Sequence, residues 1–158
     1  MNFWERDGFT ISTNKGYLDI EVVFNYLNNE SYWANGIPKE TVTKSIENTA
    51  LCFGVYKGNP KVEPAQLIGF ARVISDLATF AYLADVFILE PYRGLGLSKW
   101  LISTIIEHAE LQRVRRFLLA TNDAHSLYSQ YGFEPLESPQ LFMQIARKNI
   151  YKSSTTET

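Results

Sequence analysis

A glycine-rich segment in the middle of the chain has the residue types of an anion-binding turn. It reads Pro91-Tyr92-Arg93-Gly94-Leu95-Gly96-Leu97-Ser98-Lys99. The segment lies between a predicted buried strand and a predicted helix, so free backbone N–H groups and the positive end of the helix dipole converge there. Glycine lets a backbone approach a phosphate closely. The alternative is a tight strand-to-helix turn without a ligand.

Two common phosphate motifs do not match this segment. A dinucleotide-binding fingerprint needs a third glycine where this chain has Lys99, and a P-loop needs a Gly-Lys-Ser/Thr ending. Neither is present, so a nucleotide-binding site of those two kinds is excluded here.

Asp85 is the only acidic side chain in the apolar run from Phe80 to Leu89. A carboxylate in such a strand is a candidate general base, and it is also a group that attracts an ammonium ion. The alternative is an aspartate that bonds to the backbone or to a buried partner and holds the neighbouring loop.

Hydrophobic spacing predicts the elements that position these residues. Strands are predicted at 9–13, 51–56, 67–74, 80–89 and 116–120, with a last pair at 133–136 and 141–146. Helices are predicted at 19–29, 39–49, 97–109 and 123–131, with Asp19 and Asp123 as N-caps and Gly132 as a helix stop. The order predicts a mixed α/β sheet in a single domain, residues 1–150, followed by a polar, disordered tail at 151–158.

Composition excludes several classes of protein. Of 158 residues, 46% are hydrophobic and 20% are charged, which is typical of a soluble globular domain. A net charge of -2 disfavours nucleic acid as a partner. One cysteine and two histidines give no metal-site spacing, no run is long enough to span a membrane, and the acidic N-terminus is unlike a signal peptide. We therefore expect a cytoplasmic protein without a metal.

Two motifs together carry a family resemblance. Arg93-Gly94-Leu95-Gly96-Leu97-Ser98 matches the pattern Arg/Gln-x-x-Gly-x-Gly/Ala, except that Ser98 takes the last place. Ala124-His125-Ser126-Leu127-Tyr128-Ser129-Gln130-Tyr131-Gly132-Phe133 matches Ala-x-x-Leu-Tyr-x-x-x-Gly-Phe. With these motifs, residues 9–146 resemble the GNAT superfamily of acyl-coenzyme A dependent N-acetyltransferases.

The resemblance implies a fold and a coenzyme site. The fold would be a mostly antiparallel central sheet flanked by about four helices, with a splayed strand pair forming the acetyl-CoA cleft. The coenzyme would contact strand residues Val86, Phe87 and Ile88, loop residues Arg93, Gly94, Leu95, Gly96, Leu97, Ser98 and Lys99, and Tyr128.

The resemblance also implies direct transfer of the acetyl group to an amine. Tyr128 matches the family's proton donor, which protonates the departing thiolate. Many relatives carry a glutamate on the strand before the glycine loop, at the position of Ala84 in this chain, so the neighbouring Asp85 is the predicted catalytic base.

The acceptor site has no motif of its own in the sequence, so its residues and its substrate class are predicted more broadly than the coenzyme site. The candidate substrate-binding residues are Tyr32, Trp33, Asp85 and His125. Residues 32–38 form an aromatic loop between the first two predicted helices, and this loop favours a small-molecule primary amine. Two alternatives are a non-catalytic acyl-CoA binding or sensing module and an enzyme that acetylates protein N-termini or lysines. Homodimers are common in the family, and the edges of the last two predicted strands are available for such pairing.

Overall fold

The computed structural model describes residues 1–152 of the chain as one mixed sheet with helices on both faces. The sheet has six strands that lie side by side in chain order. They are β1 (Phe3–Arg6), β2 (Phe9–Ser12), β3 (Leu51–Lys57), β4 (Gln66–Ser75), β5 (Phe80–Ile88) and β6 (Arg116–Leu118). Each neighbouring pair is antiparallel except β5 and β6, which are parallel. The mixed, mostly antiparallel sheet that the sequence and the resemblance predict is confirmed.

Four α-helices flank this sheet. They are α1 (Ile20–Asn25), α2 (Lys39–Glu47), α3 (Leu97–Ile106) and α4 (His125–Ser129). Asp19 caps α1 as predicted, since its carboxylate accepts a hydrogen bond from the Glu21 N–H. The helix is shorter than predicted, because a wider π-type turn over Tyr26–Glu30 replaces its second half. Turns of this kind are frequent at functional sites.

The central strands are buried on both faces, so alternate residues enter different cores. On β3, Cys52 joins a cluster beneath α1 and α2, whereas Phe53 joins a cluster beneath α3 and α4. On β4, Phe70 joins the cluster beneath α1 and α2, and Ala71 joins the cluster beneath α3 and α4. Burial on both sides fixes the register of these strands, because a slip by one residue would exchange the two sets of side chains.

Three predictions about the strands need correction. The strand β1 is missing from the prediction, although Asp7 and Gly8 both adopt positive φ and form the turn that an Asp-Gly pair signals. The strand β6 ends at Leu118 instead of 120, because it stays paired with β5 over only three residues.

The predicted last pair of strands, 133–136 and 141–146, does not form in the chain as described. Pro135 cannot donate a ladder hydrogen bond, and Pro139–Leu141 forms a short 3₁₀ turn instead of a hairpin. At the end of the described chain, Tyr151 packs against the core beneath α1 and α2. The remainder of the predicted tail, residues 153–158, lies outside the described residues.

Candidate active site

The sheet opens between β5 and β6. Their pairing covers only Phe80–Tyr82 of β5 and Arg116–Leu118 of β6. Beyond that point β5 continues to Ile88, paired with β4 alone among the described strands. This gives the splayed strand pair that the resemblance implies, and it leaves one backbone edge of β5 over residues 83–88 facing the gap.

A glycine turn lies at the open end of the gap; we call residues 93–99 the cradle. Gly94 and Gly96 have φ values of 83° and 80°, which L side chains rarely adopt. Nothing lies within 4 Å of where a Cβ of Gly94 would stand. The first N–H of α3 to bond back is that of Trp100, 3.1 Å from the Gly96 oxygen. The N–H groups of residues 97–99 therefore have no carbonyl partner among the described residues and are available to an anion.

The cradle residues that are predicted to contact the coenzyme differ in burial and in hydrogen bonding. Leu97 is only 4% exposed and packs in the core, so it contributes its backbone alone. Leu95 and Lys99 are exposed, and Ser98 is half-buried. Arg93 is an anchor, since its Nε donates to the Ile88 oxygen at 2.9 Å and its Nη2 donates to the Tyr26 hydroxyl at 3.2 Å.

Arg6 is a cation beside the cradle that the sequence reading missed. Its Nη2 lies 3.3 Å from where a Cβ of Gly96 would stand, and its guanidinium lies 5.4 Å from the centre of the Trp100 ring. The Asp7 carboxylate is 3.8 Å away, but both side chains are well exposed, so this ion pair is weak. Recognition of the β1–β2 hairpin from its Asp-Gly turn would have brought Arg6 to this end of the sheet.

Tyr128 lies on α4 and is 8% exposed. Its ring contacts the Phe133 ring edge-on, with 5.8 Å between the centroids. Burial, followed by the neighbouring Tyr32 and Asp123, raises the pKa of Tyr128 to about 12. Its hydroxyl bonds to no described residue, and it is not sealed from solvent as the Tyr56 hydroxyl is. Tyr128 therefore offers a protonated, unpaired phenol at neutral pH.

Asp85 lies at a β-bulge in β5. Phe70 faces Phe87 and Arg72 faces Ala84, so Asp85 and Val86 together face one residue of β4. Asp85 has a φ of 56°, a strained value for a non-glycine residue that costs about 1–3 kcal/mol. Bulges of this kind redirect a side chain.

The redirected carboxylate of Asp85 has two partners. Its Oδ2 lies 2.6 Å from Nε of Arg72, and its Oδ1 accepts a hydrogen bond from Nε1 of Trp33 at 2.7 Å. The side chain of Asp85 is 9% exposed and that of Arg72 is 17% exposed. Both oxygens of Asp85 are therefore engaged by buried or partly buried partners, as in the alternative to a free base that the sequence left open.

Two aromatic side chains, which we call the roof, span the gap. Trp33 is bonded to Asp85 on β5, and the Tyr32 hydroxyl accepts a hydrogen bond from the Asn122 N–H at 3.0 Å. Asn122 follows β6, so the roof is fixed on both sides of the split. The two rings meet edge-on with centroids 5.0 Å apart, and both are partly exposed.

The start of α4 differs from the prediction. The hydroxyl oxygen of Thr121 accepts hydrogen bonds from the N–H groups of Asp123 and Ala124, so the predicted Asp123 cap is wrong. His125 is the first residue of the helix; its side chain is exposed and bonds to no described residue. Gly132 ends this region with a φ of 94°, as predicted.

Residues 1–152 contain neither a metal-binding cluster nor a membrane-spanning helix. No group of three or more His, Cys, Asp or Glu side chains in that range is arranged to hold a metal ion. None of the helices in the same range is long and apolar enough to cross a bilayer.

Comparison with known proteins agrees with this geometry. Residues 20–133 match the family model described as the acetyltransferase (GNAT) family. A protein of Gibberella zeae that carries an acetyltransferase name is 26% identical over 141 residues, covering 80% of this chain and 79% of the relative. A Prochlorococcus marinus protein named as an N-acetyltransferase is 34% identical over 97 residues, covering 61% of this chain and 53% of the relative.

A solved structure is more similar still. A protein of Xanthomonas campestris pv. campestris assigned to the GNAT family is 42% identical to this chain, with a TM-score of 0.85. The match covers 94% of this chain and 100% of that one.

A split sheet with an anion cradle at its open end and a protonated phenol beside the split defines a group-transfer enzyme. The chain belongs to the GNAT family and is an acetyl-CoA-dependent N-acetyltransferase.

Proposed function

We propose that this enzyme transfers the acetyl group of acetyl-CoA directly to the primary amine of a small molecule. The observation that carries the acceptor class is the roof, since Tyr32 and Trp33 are bonded to opposite sides of the β5–β6 split. A roof held by bonds on both sides of the split cannot open without breaking them, so we place a small acceptor beneath it, next to the bulge in β5, in preference to an extended peptide.

The residues around the cradle fit a coenzyme with phosphate groups. The open space at Gly94 and the unpaired N–H groups of residues 97–99 favour close approach of an anion. We propose that Arg6 and Lys99 add positive charge and that the Ser98 hydroxyl donates a hydrogen bond.

The free edge of β5 provides a second part of the coenzyme site. Val86, Phe87 and Ile88 lie where β5 has no strand partner on the gap side among the described strands. An extended amide-containing arm can add to such an edge as a further strand does. Acetyl-CoA brings a thioester and an arm of this type.

We propose that Tyr128 supplies the proton that the departing sulfur needs. When the neutral amine forms its bond to the acetyl carbon, the carbon–sulfur bond breaks, the thiolate takes up the Tyr128 proton, and the nitrogen releases a proton to water to give the neutral amide. Because burial raises the pKa of Tyr128 to about 12, the phenol holds its proton throughout the physiological range.

We assign Asp85 two roles on the acceptor side. Its carboxylate contributes negative charge near the acceptor ammonium, and its bond to Trp33 positions the roof. The role of Asp85 as a general base stays a prediction. Its carboxylate would have to break its bonds to Arg72 and Trp33 before it could accept a proton from the amine. His125 is exposed at the start of α4 and is assigned to the acceptor entrance.

The proposal is tested by two measurements on the same preparation. Calorimetric titration with acetyl-CoA is expected to show binding, and a free-thiol assay with pooled small primary amines is expected to show acetyl-dependent thiol release. The same assay with lysine-containing peptides and N-terminal peptides serves as the comparison. Faster release with the peptides would overturn the small-molecule assignment.

The sequence alone left a non-catalytic acyl-CoA binding module open, because Ala84 stands where the resemblance places a glutamate. The family match and the relatives with acetyltransferase names favour the enzyme instead. Thiol release in the amine assay tests this choice directly. The expected cytoplasmic location and the absence of a nucleic acid partner rest on composition and charge alone.

A further inference from the structure

One arginine side chain joins the bulge in β5 to the end of a helix. Arg72 lies on β4 and faces Ala84, the residue before Asp85. Its Nε donates a hydrogen bond to the Asp85 carboxylate at 2.6 Å, and its Nη1 donates to the Thr49 hydroxyl at 3.1 Å. Thr49 lies just after α2 and is buried. The Arg72 guanidinium therefore connects α2 with β5.

The end of α2 gives this guanidinium a fixed support. The Lys15 ammonium donates a hydrogen bond to the Thr49 carbonyl oxygen at 2.6 Å. The Thr49 hydroxyl donates its one hydrogen to the Ser45 carbonyl oxygen, so it meets Arg72 with a lone pair. Because a guanidinium is a rigid planar fork, a bond at Nη1 also sets the direction of Nε. The contact with Thr49 therefore aims Nε at Asp85.

Asp85 depends on such a partner for its position. Its φ of 56° is a strained value, and strain of this kind persists only where the surroundings hold it. Its side chain is 9% exposed, and a buried carboxylate is costly unless a cation pairs with it. Among residues 1–152, Arg72 is the cation that forms this ion pair. The other carboxylate oxygen of Asp85 holds Trp33 of the roof.

We propose that Arg72 is a positioning residue of the acceptor site. It acts through Asp85 and not by contact with the acceptor: it fixes the carboxylate, and the carboxylate fixes the angle at which Trp33 covers the acceptor. The inference rests on the proposed function, because it takes the space beneath the roof as the acceptor site. Removal of Arg72 should therefore loosen the roof and leave the cradle unchanged.

The first test needs no activity and no substrate. The chain has three tryptophans, so a nitrogen–proton correlation spectrum shows three indole signals, and Trp33→Phe identifies the signal of Trp33. A bond to a carboxylate is strong and moves the indole proton downfield. In Arg72→Met we expect the Trp33 signal to move upfield. A signal that stays in place or moves further downfield would overturn the proposal, whatever the acceptor is.

Lys15→Met is the matched control for this spectrum. Lys15 bonds to the same Thr49 as Arg72 does, but it has no bond to Asp85. The control therefore loosens the end of α2 without removing the partner of the carboxylate. We expect the Trp33 signal of Lys15→Met to match that of the parent. An equal shift in both variants would mean that general loosening of α2 moves the roof, which contradicts a specific role of Arg72.

The second test separates binding of the acceptor from chemistry. In Arg72→Met we expect the acceptor KM to rise by about 5–10-fold, with kcat and coenzyme affinity within about twofold of the parent. Arg72→Lys keeps the charge but loses the fork, so we expect a smaller rise of about 2–3-fold. A fall in kcat at unchanged acceptor KM would place Arg72 in the chemical step and overturn the positioning role.

The third test asks whether Arg72 acts through Asp85. In Asp85→Asn there is no carboxylate to hold, so Arg72→Met added to it is expected to cause no further rise in acceptor KM. This pair also avoids an unpaired buried charge, so it decides the question even if Arg72→Met alone does not fold. A further rise of about 5–10-fold in the double variant would show a route that bypasses Asp85 and would contradict the proposal.

Discussion

The cradle and the roof are held by contacts of different kinds. The cradle owes its shape to its own backbone, through two glycines with positive φ and the first turn of α3. The roof is fixed by side chains that meet across the fold, since Trp33 and Asp85 are 52 residues apart and Tyr32 and Asn122 are 90 apart.

This difference separates what the two ends of the site do. If the cradle binds the phosphate groups common to all coenzyme A esters, as we propose, few side chains can alter that recognition, because the cradle is built from backbone. A roof built from side chains changes with single substitutions, so it is suited to select the acceptor. Variants in the two regions should therefore affect different constants.

The largest effect is expected from Gly94→Glu. The new carboxylate would occupy the open space above the cradle and repel phosphate, so we expect coenzyme affinity to fall by at least about 100-fold. Calorimetric titration with acetyl-CoA measures this affinity. Gly94→Ala is the matched control, because it places an L side chain at the same strained φ without adding charge. The conformational strain should cost only about 1–2 kcal/mol of free energy. Equal losses in both variants would mean that strain and not phosphate contact is responsible.

Tyr128→Phe is expected to lower kcat by about 100-fold with coenzyme affinity unchanged, because only the proton is lost. Tyr131→Phe, in the following turn, is the control. In the parent enzyme, deprotonation of Tyr128 requires pH near its raised pKa of about 12, so kcat should not fall through the ordinary tyrosine range near pH 10. Unchanged kcat in Tyr128→Phe would remove the proton-donor assignment.

The acceptor side is tested by Trp33→Phe, which keeps an aromatic ring and removes the bond to Asp85. We expect the KM for the acceptor to rise by about 5–10-fold, the equivalent of one hydrogen bond, with coenzyme affinity unchanged. Steady-state kinetics at saturating acetyl-CoA measures this. A loss of coenzyme affinity in this variant would contradict the separation between roof and cradle.

Asp85→Asn sharpens the same test. The single amide oxygen of the variant can accept from Trp33 or from Arg72 but not from both. If Asp85 only positions the roof, the variant should therefore change the kinetics no more than Trp33→Phe does. A fall in kcat of about 100-fold or more, absent from Trp33→Phe, would instead identify Asp85 as the general base.

The smallest effect is expected from Arg6→Ala. Its guanidinium borders the cradle but is half exposed, so we expect coenzyme affinity to fall by about 3–5-fold and to depend on salt. Lys61→Ala is the control, since Lys61 packs on the Phe3 ring away from the cradle. Equal coenzyme affinity in the parent and in Arg6→Ala would mean that Arg6 does not contribute and that the backbone of the cradle binds the coenzyme.

The sequence predicted the cradle well because its determinants are local. Glycine spacing and a helix start lie within one stretch of residues, and the structure confirms the turn at Gly94 and Gly96. The Asp7–Gly8 turn was equally local, so the missed strand β1 was within reach of the same reasoning.

The contacts of the roof and the fate of the C-terminal strands were harder to predict from the sequence, because they depend on partners far along the chain. The aromatic loop was predicted to lie over the acceptor, but nothing in it indicates that Trp33 bonds to Asp85 or that Tyr32 bonds to Asn122. Alternation in residues 141–146 predicts a face that needs burial, yet it does not say which edge, or which chain, provides it.

Tyr26 joins the two regions that the variants are designed to separate. Its hydroxyl accepts the hydrogen bond from Arg93 of the cradle, and its ring stacks on Phe87 with 4.0 Å between centroids. The same ring approaches Trp33 of the roof at 6.4 Å. Through Tyr26, we expect ordering of the cradle by one substrate to affect the roof over the other. We expect reciprocal linkage, in which each substrate raises the affinity for its co-substrate by the same factor.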